Sequence, residues 1–211
     1  MDREAKQAAL DQLNSEWSTK DLPLKANASR AVPGEGNPNT DILFIGEAPG
    51  KNEDEQGKPF VGAAGKFLNE LIGLIGLQRE DIFIANIIKH RPPGNRDPLP
   101  EEIEAYAPWL AQQIEIINPP LIVTLGRFSM AYLLGPTFSI TKIHGQPKRT
   151  KSGRVVVPMY HPAAALYNGS LRPILATDFQ KIPKVLQLIK TGQTTTKEAA
   201  VPETATQKAL L

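Results

Sequence analysis

Four short apolar runs constrain this chain more than anything else in it: Ile42-Leu43-Phe44-Ile45, Ile82-Phe83-Ile84-Ala85-Asn86-Ile87-Ile88, Leu121-Ile122-Val123-Thr124-Leu125 and Val155-Val156-Val157. They are short and do not alternate with polar residues, as expected of strands buried on both faces. Helical patterns fill the gaps. Phe67-Leu68, Leu71-Ile72 and Ile75 recur at helical spacing, and Gly76 is placed as a C-terminal stop. Pro100-Glu101-Glu102 opens a helix to about Ile117, its acids lying where the helix dipole favours them, and Pro119-Pro120 ends it. A short helix is expected over Arg127 to Leu134, and a last one over Pro173 to Lys190. Arg3 to Trp17 reads as a polar helix with a thin stripe of Ala8, Ala9, Leu10 and Leu13. Leu22 to Thr40, rich in Pro, Gly, Asn and Ala, reads as a loop or extended arm.

Strands alternating with helices predict an α/β fold: a central, mostly parallel four-stranded sheet with helices on both faces. The 211 residues suit one domain, taken as 19–190, with an N-terminal helix at 1–18 and a Thr- and Ala-rich tail at 191–211 expected to be disordered. Ligands of such sheets sit outside the carboxyl ends of the strands. The polar residues to examine are therefore Glu47, Asn86, Arg127 and His161.

Composition removes several classes of chemistry. With no cysteine, the chain cannot form disulfides, thiolate zinc sites, Cys-ligated iron–sulfur clusters or Cys nucleophiles. No apolar run approaches the roughly 20 residues of a membrane span, and Met1-Asp2-Arg3-Glu4 lacks a signal-peptide layout, so a cytoplasmic location is expected. A net charge of +2 permits a nucleic-acid partner without arguing for one.

Four segments carry candidate chemistry. Gly46-Glu47-Ala48-Pro49-Gly50-Lys51 follows the first strand. It is not a phosphate loop: three residues rather than four separate its glycines, and Asn52 follows the lysine. Pro49 also breaks the dinucleotide pattern. What remains is a tight turn offering backbone N–H groups and one carboxylate. Downstream, Phe60 lies between Pro59 and a Gly-containing stretch entering a helix. It is either core or a stacking platform with an open face. In the third segment, Asn86 stands inside an apolar strand, where a buried amide must be hydrogen-bonded and offers donor and acceptor together. The Pro-stiffened loop after it holds Lys89, Arg91 and Arg96, which suit a phosphodiester backbone or a solvated surface. Fourth, His161 in Tyr160-His161-Pro162-Ala163 is a structural histidine or a donor to a developing anion.

Taken together and in this order, GEAPGKNEDEQGKPFVGAAGKFL (46–68), ANIIKHRPPGNRDP (85–98), NPPLIVTLGRFSMAYLLG (118–135) and MYHPAAAL (159–166) resemble the uracil-DNA glycosylase superfamily, most closely its family 4. The resemblance covers roughly residues 19 to 190 and implies that superfamily's three-layer α/β sandwich. It implies roles for matching residues. Phe60 would stack on a flipped uracil, Asn86 would read its N3 and O4, and Asn95 would position the attacking water. His161 would stabilise the uracil anion at O2, and Glu47 and Ala48 would line the site. Glu53 matches an acidic position near the base. Lys51, Arg91, Arg96 and Arg172 are candidate phosphate contacts, and Ala163 to Leu166 would wedge into the base stack. The implied function is hydrolysis of the N-glycosidic bond of deoxyuridine in DNA by a monomer. The rivals are a non-catalytic uracil-DNA-binding module and a glycosylase for another deaminated base such as hypoxanthine. Such chemistry needs a donor for the departing anion, a held water and a pocket for an extruded base, and no cofactor is expected.

One departure stands out. Family 4 holds a four-iron four-sulfur cluster with four cysteines, and the matching positions here are Thr19, Leu22, His90 and Tyr106. Loss of all four together implies a repacked site, with Leu22 and Tyr106 supplying bulk and His90 a hydrogen bond. The end of the chain, Gln207-Lys208-Ala209-Leu210-Leu211, is either a chance match at the end of a disordered tail, since five-residue matches are cheap, or a segment that resembles the short peptides bacterial repair proteins dock into the sliding clamp.

Overall fold

A computed structural model of the chain describes residues 1–150 and 152–193. The expectations for the tail beyond residue 193, including Gln207-Leu211, lie outside the described residues.

The four apolar runs form the centre of one sheet. Its strands are β1 (Glu35–Gly36), β2 (Ile42–Gly46), β3 (Phe83–Asn86), β4 (Leu121–Leu125), β5 (Lys148–Arg149) and β6 (Val155–Met159). Their order is β1-β3-β2-β4-β6-β5. The inner neighbours β3, β2, β4 and β6 pair in parallel, whereas β1 and β5 pair antiparallel at the two edges. The helices are α1 (Arg3–Ser18), α2 (Lys51–Gln56), α3 (Ala63–Leu74), α4 (Pro100–Ile117), α5 (Arg127–Leu134), α6 (Ile140–Ile143), α7 (Ala164–Tyr167), α8 (Leu171–Phe179) and α9 (Ile182–Lys190).

Alternating residues of each strand enter two separate cores, as the period of two requires. Leu43, Ile45, Ala85, Ile122 and Val156 pack with α1, α4 and α5. Ile42, Phe44, Ile84, Val123 and Val157 pack with α3, α8 and α9. Both faces are therefore covered, which explains why the strands read as unbroken apolar runs. The N-terminal helix belongs to the first of these layers. Leu10 and Leu13 are buried in it, the rings of Trp17 and Trp109 stack at 5.6 Å, and Lys6 Nζ donates to the Ile117 carbonyl at 2.7 Å.

The structure differs from the expectation in a few places. The sheet has six strands rather than four, because β1 and β5 are two-residue edge pieces too short to carry a period. The helix expected over Pro173 to Lys190 is broken in two. Pro183 lacks the N–H that would continue α8 and its ring opposes the preceding turn, so it sits in the first turn of α9. α2 occupies a stretch with no apolar stripe; Gly50 caps it, and Glu53 and Asp54 lie in its first turn. Past Asn86 the chain leaves the ladder of β3, yet Ile87 and Ile88 still donate to the carbonyls of Gly46 and Glu47.

Candidate active site

Asn86 is the last residue of β3 and lies in register with Gly46, the last of β2. The two strand ends thus stand side by side. Asn86 is 1% exposed, and its Oδ1 has no hydrogen-bond partner. A Cβ on Gly46 would come within 2.4 Å of that oxygen and 2.7 Å of the Phe60 ring. Amide, ring and glycine therefore converge on one spot. The Phe60 ring in turn stacks on the His161 imidazole, with centroids 5.5 Å apart and planes at 28°. Gly65, at the start of α3, lets this loop close: a Cβ there would fall 1.8 Å from the Phe60 carbonyl oxygen.

His161 follows β6, and Gly126, after β4, lies against its Cβ. The imidazole Nδ1 accepts the Ala163 N–H at 3.1 Å, which leaves the proton on Nε2. Burial holds the imidazole pKa down, to about 4, against the opposing pull of Glu53. His161 is thus a neutral Nε2–H donor across the physiological range. Glu47 directly follows Gly46. Its carboxyl is pushed up to about 7, first by burial and then by Asp97, with Arg127 opposing. Asp97 and Arg127 are themselves an ion pair. Ala48 is half-buried and packs against the core under α1 and α4.

Glu53 is engaged with the protein. Its Oε1 accepts the N–H groups of Val61 at 2.9 Å and Gly62 at 2.8 Å, so it shapes the Phe60 loop from below. The basic loop is less open than its sequence suggests. Arg96 makes two bonds to Glu102 (2.9 and 2.5 Å), and Glu102 also accepts the Leu99 N–H, closing the start of α4. Asn95 stands on the exposed loop, and its Oδ1 accepts Arg91 Nε at 2.7 Å. Arg172 pairs with Glu70 at 3.3 Å and lies over the Phe67 ring. Lys51 is exposed, 3.9 Å from Glu55. The structure thus gathers Phe60, Asn86 and His161, with Glu47 beside them and Glu53 beneath, and leaves Asn95 and Arg91 on the loop after β3 and Lys51 at the exposed start of α2.

Lys89 corrects the sequence reading. It is fully buried rather than presented to a phosphate, and its Nζ donates to the Asn86 carbonyl at 2.7 Å and to Gln113 Oε1 at 2.5 Å. Burial lowers its amine pKa to about 7. The apolar run immediately before it was the available signal. Asp97 and Arg79 were also missed; neither carries a periodic signal.

At the positions matching the cluster cysteines, Thr19 is exposed while Leu22, His90 and Tyr106 are buried. Tyr106 Oη donates to the Pro23 carbonyl at 2.6 Å. Its single proton is then used, so the 2.5 Å contact with His90 Nδ1 places a proton on that nitrogen. This is a closed chain, His90 to Tyr106 to Pro23, with no thiolate in it. These residues do not fit an iron–sulfur cluster.

The ends of the parallel inner strands thus bring together a buried, unpartnered amide oxygen, an aromatic ring and a neutral imidazole. The family model described as the uracil DNA glycosylase superfamily matches residues 33–187, and the chain belongs to that family. Within it, the chain is 52% identical over 173 residues to the Type-4 uracil-DNA glycosylase of Sulfurisphaera tokodaii, covering 78% of this chain and 79% of the relative. It is 47% identical over 162 residues to the Type-4 enzyme of Thermotoga maritima, covering 75% and 84%. A Type-5 uracil-DNA glycosylase of Thermus thermophilus is 31% identical over 153 residues, covering 63% and 69%.

Proposed function

We propose that this chain is a monofunctional glycosylase that hydrolyses the N-glycosidic bond of deoxyuridine in DNA, releasing uracil and leaving an abasic site. The observation that carries this reading is the unpartnered, buried Asn86 Oδ1 beside the Phe60 ring. An extruded uracil stacks on that ring, gives its N3–H to Oδ1 and takes the Asn86 amide N–H at O4. Cytosine reverses both groups, so its N3 acceptor faces Oδ1 and its N4 donor faces the amide N–H, and it is rejected by these unpaired polar atoms.

As the bond breaks, negative charge gathers on the base and positive charge on the sugar. The Nε2–H of His161 donates to O2 of the departing anion without first having to lose or gain a proton. Glu47, with its pKa near neutrality, takes the proton of the attacking water as its carboxylate form. Asn95 joins in holding that water once Arg91 turns from its amide to a phosphate. Lys51, Arg91 and Arg172 approach the backbone, with Arg96 supporting the loop, and the exposed Leu166 with Ala163 enters the gap left by the base.

Among the described residues no helix is long and apolar enough to cross a membrane. We take the chain to work as a monomer on nucleoid DNA in the cytoplasm, with Gln207-Leu211 docking on a sliding clamp. Unchanged clamp binding after deletion of residues 207–211 removes that last element.

The test of the main reading is cleavage of a labelled single-uracil oligonucleotide followed by alkali. Wild type should cut, and His161→Ala and Asn86→Asp should cut at least about 100-fold more slowly. Folded wild type that binds uracil-containing DNA without cutting it is a binding module. Cutting at hypoxanthine alone assigns the pocket to another base.

A further inference from the structure

We infer that Arg79 is a positioning residue that holds the base-stacking ring of Phe60 in place; this rests on the uracil-excision reading above. Phe60 has φ +51°. A bulky L-residue rarely adopts that left-handed conformation, so something must hold it there. The grip comes from two sides. Arg79 Nη1 donates to the Phe60 carbonyl at 3.1 Å, and Nη2 donates to the Pro59 carbonyl. From the other side, Glu53 Oε1 accepts the next two N–H groups, those of Val61 and Gly62. Four successive residues are thus clamped between a guanidinium and a carboxylate.

The guanidinium is itself anchored. Arg79 begins a short 3-10 turn, Arg79–Asp81, whose Asp81 carboxylate accepts the Gln78 N–H at 2.8 Å and whose Asp81 carbonyl accepts Thr40 Oγ1 at 2.9 Å. Arg79 Nη1 also reaches Asn69 Oδ1 at 3.3 Å on α3. Glu35, Glu80 and Glu53 favour its charged form against burial. A planar fork serves two neighbouring carbonyls at once; a single ammonium point donor cannot do so with the same geometry. Without the fork, Phe60 is free to relax to an ordinary backbone conformation, and its ring then leaves Asn86 and His161.

The proposal predicts a kinetic and a structural signature. Arg79→Met should lower kcat on the uracil oligonucleotide by about 100-fold, because a reacting group shifted by an ångström costs that much. Affinity for the same DNA without uracil should be unchanged. Arg79→Lys should fall between Arg79→Met and wild type. In a Phe60→Leu background, where no ring remains to be held, Arg79→Met should cost less than about 3-fold more. Independently of activity, the Val61 and Gly62 amides should exchange with solvent at least about 10-fold faster in Arg79→Met than in wild type. If Arg79→Met does not fold, Arg79→Lys carries both arms. Full additivity of the two substitutions together with unchanged amide exchange overturns the proposal. A wild type that fails to excise uracil overturns the functional reading alone, and the exchange arm still decides the grip.

Discussion

Two groups of the site hold their protons in opposite ways, and this sets a pH profile. His161 is neutral at all pH values above about 4, so it contributes no change near neutrality. Glu47, raised to about 7, is mostly protonated at pH 6 and mostly ionised at pH 8. If its carboxylate accepts a proton from water, kcat/KM must rise with pH through about 7 and then level. Glu47→Gln should lower the plateau and abolish the rise, whereas Arg127→Ala, which removes the cation that opposes the raised pKa, should move the rise to higher pH. Rate profiles of the three proteins on one oligonucleotide check this. A rise that survives in Glu47→Gln assigns the titration to another group.

The strand ends and turns build the pocket by close approach. Gly46 lies at the end of β2 where a methyl group would strike both the Asn86 oxygen and the Phe60 ring. Gly46→Ala should therefore fold, at a cost of about 1–3 kcal/mol, yet lose uracil excision by about 100-fold or more. Melting temperature and cleavage rate measured on the same preparation separate the two effects. Much of this arrangement was legible in the sequence. The four apolar runs located the inner strands, and Asn86 was conspicuous as an amide in a run of Ile and Ala. That Phe60 and His161 belong to one site was legible only through the resemblance, since a lone ring or imidazole carries no periodic signal; the structure stacks the two. What stayed hidden depends on contacts distant in sequence. Arg79 is separated from Phe60 by 19 residues and meets it only because α3 folds back between them. Lys89 reads as a loop cation, and Gln113 of α4, distant in sequence, joins the Asn86 carbonyl in accepting its buried ammonium. The break before α9 was misread because Pro183 suits the start of a helix as well as its interruption.

Across the whole molecule, the chain from His90 through Tyr106 to the Pro23 carbonyl ties the N-terminal arm, the loop after β3 and α4 together. Tyr106→Phe keeps the ring and removes the link, leaving the Pro23 carbonyl and the His90 N–H without their partner. It should cost about 1–3 kcal/mol in denaturant unfolding while the excision rate of the folded protein is retained. Equal stability of Tyr106→Phe and wild type would show that packing alone joins these segments. Unfolding is easy to follow from one particular place. The two tryptophans, Trp17 on α1 and Trp109 on α4, are stacked on each other on the face of the sheet opposite the Phe60 core. Intrinsic fluorescence therefore reports the docking of one helix pair and is silent about base capture. An emission change that precedes the loss of cleavage in a denaturant titration marks the release of α1 as a separate step.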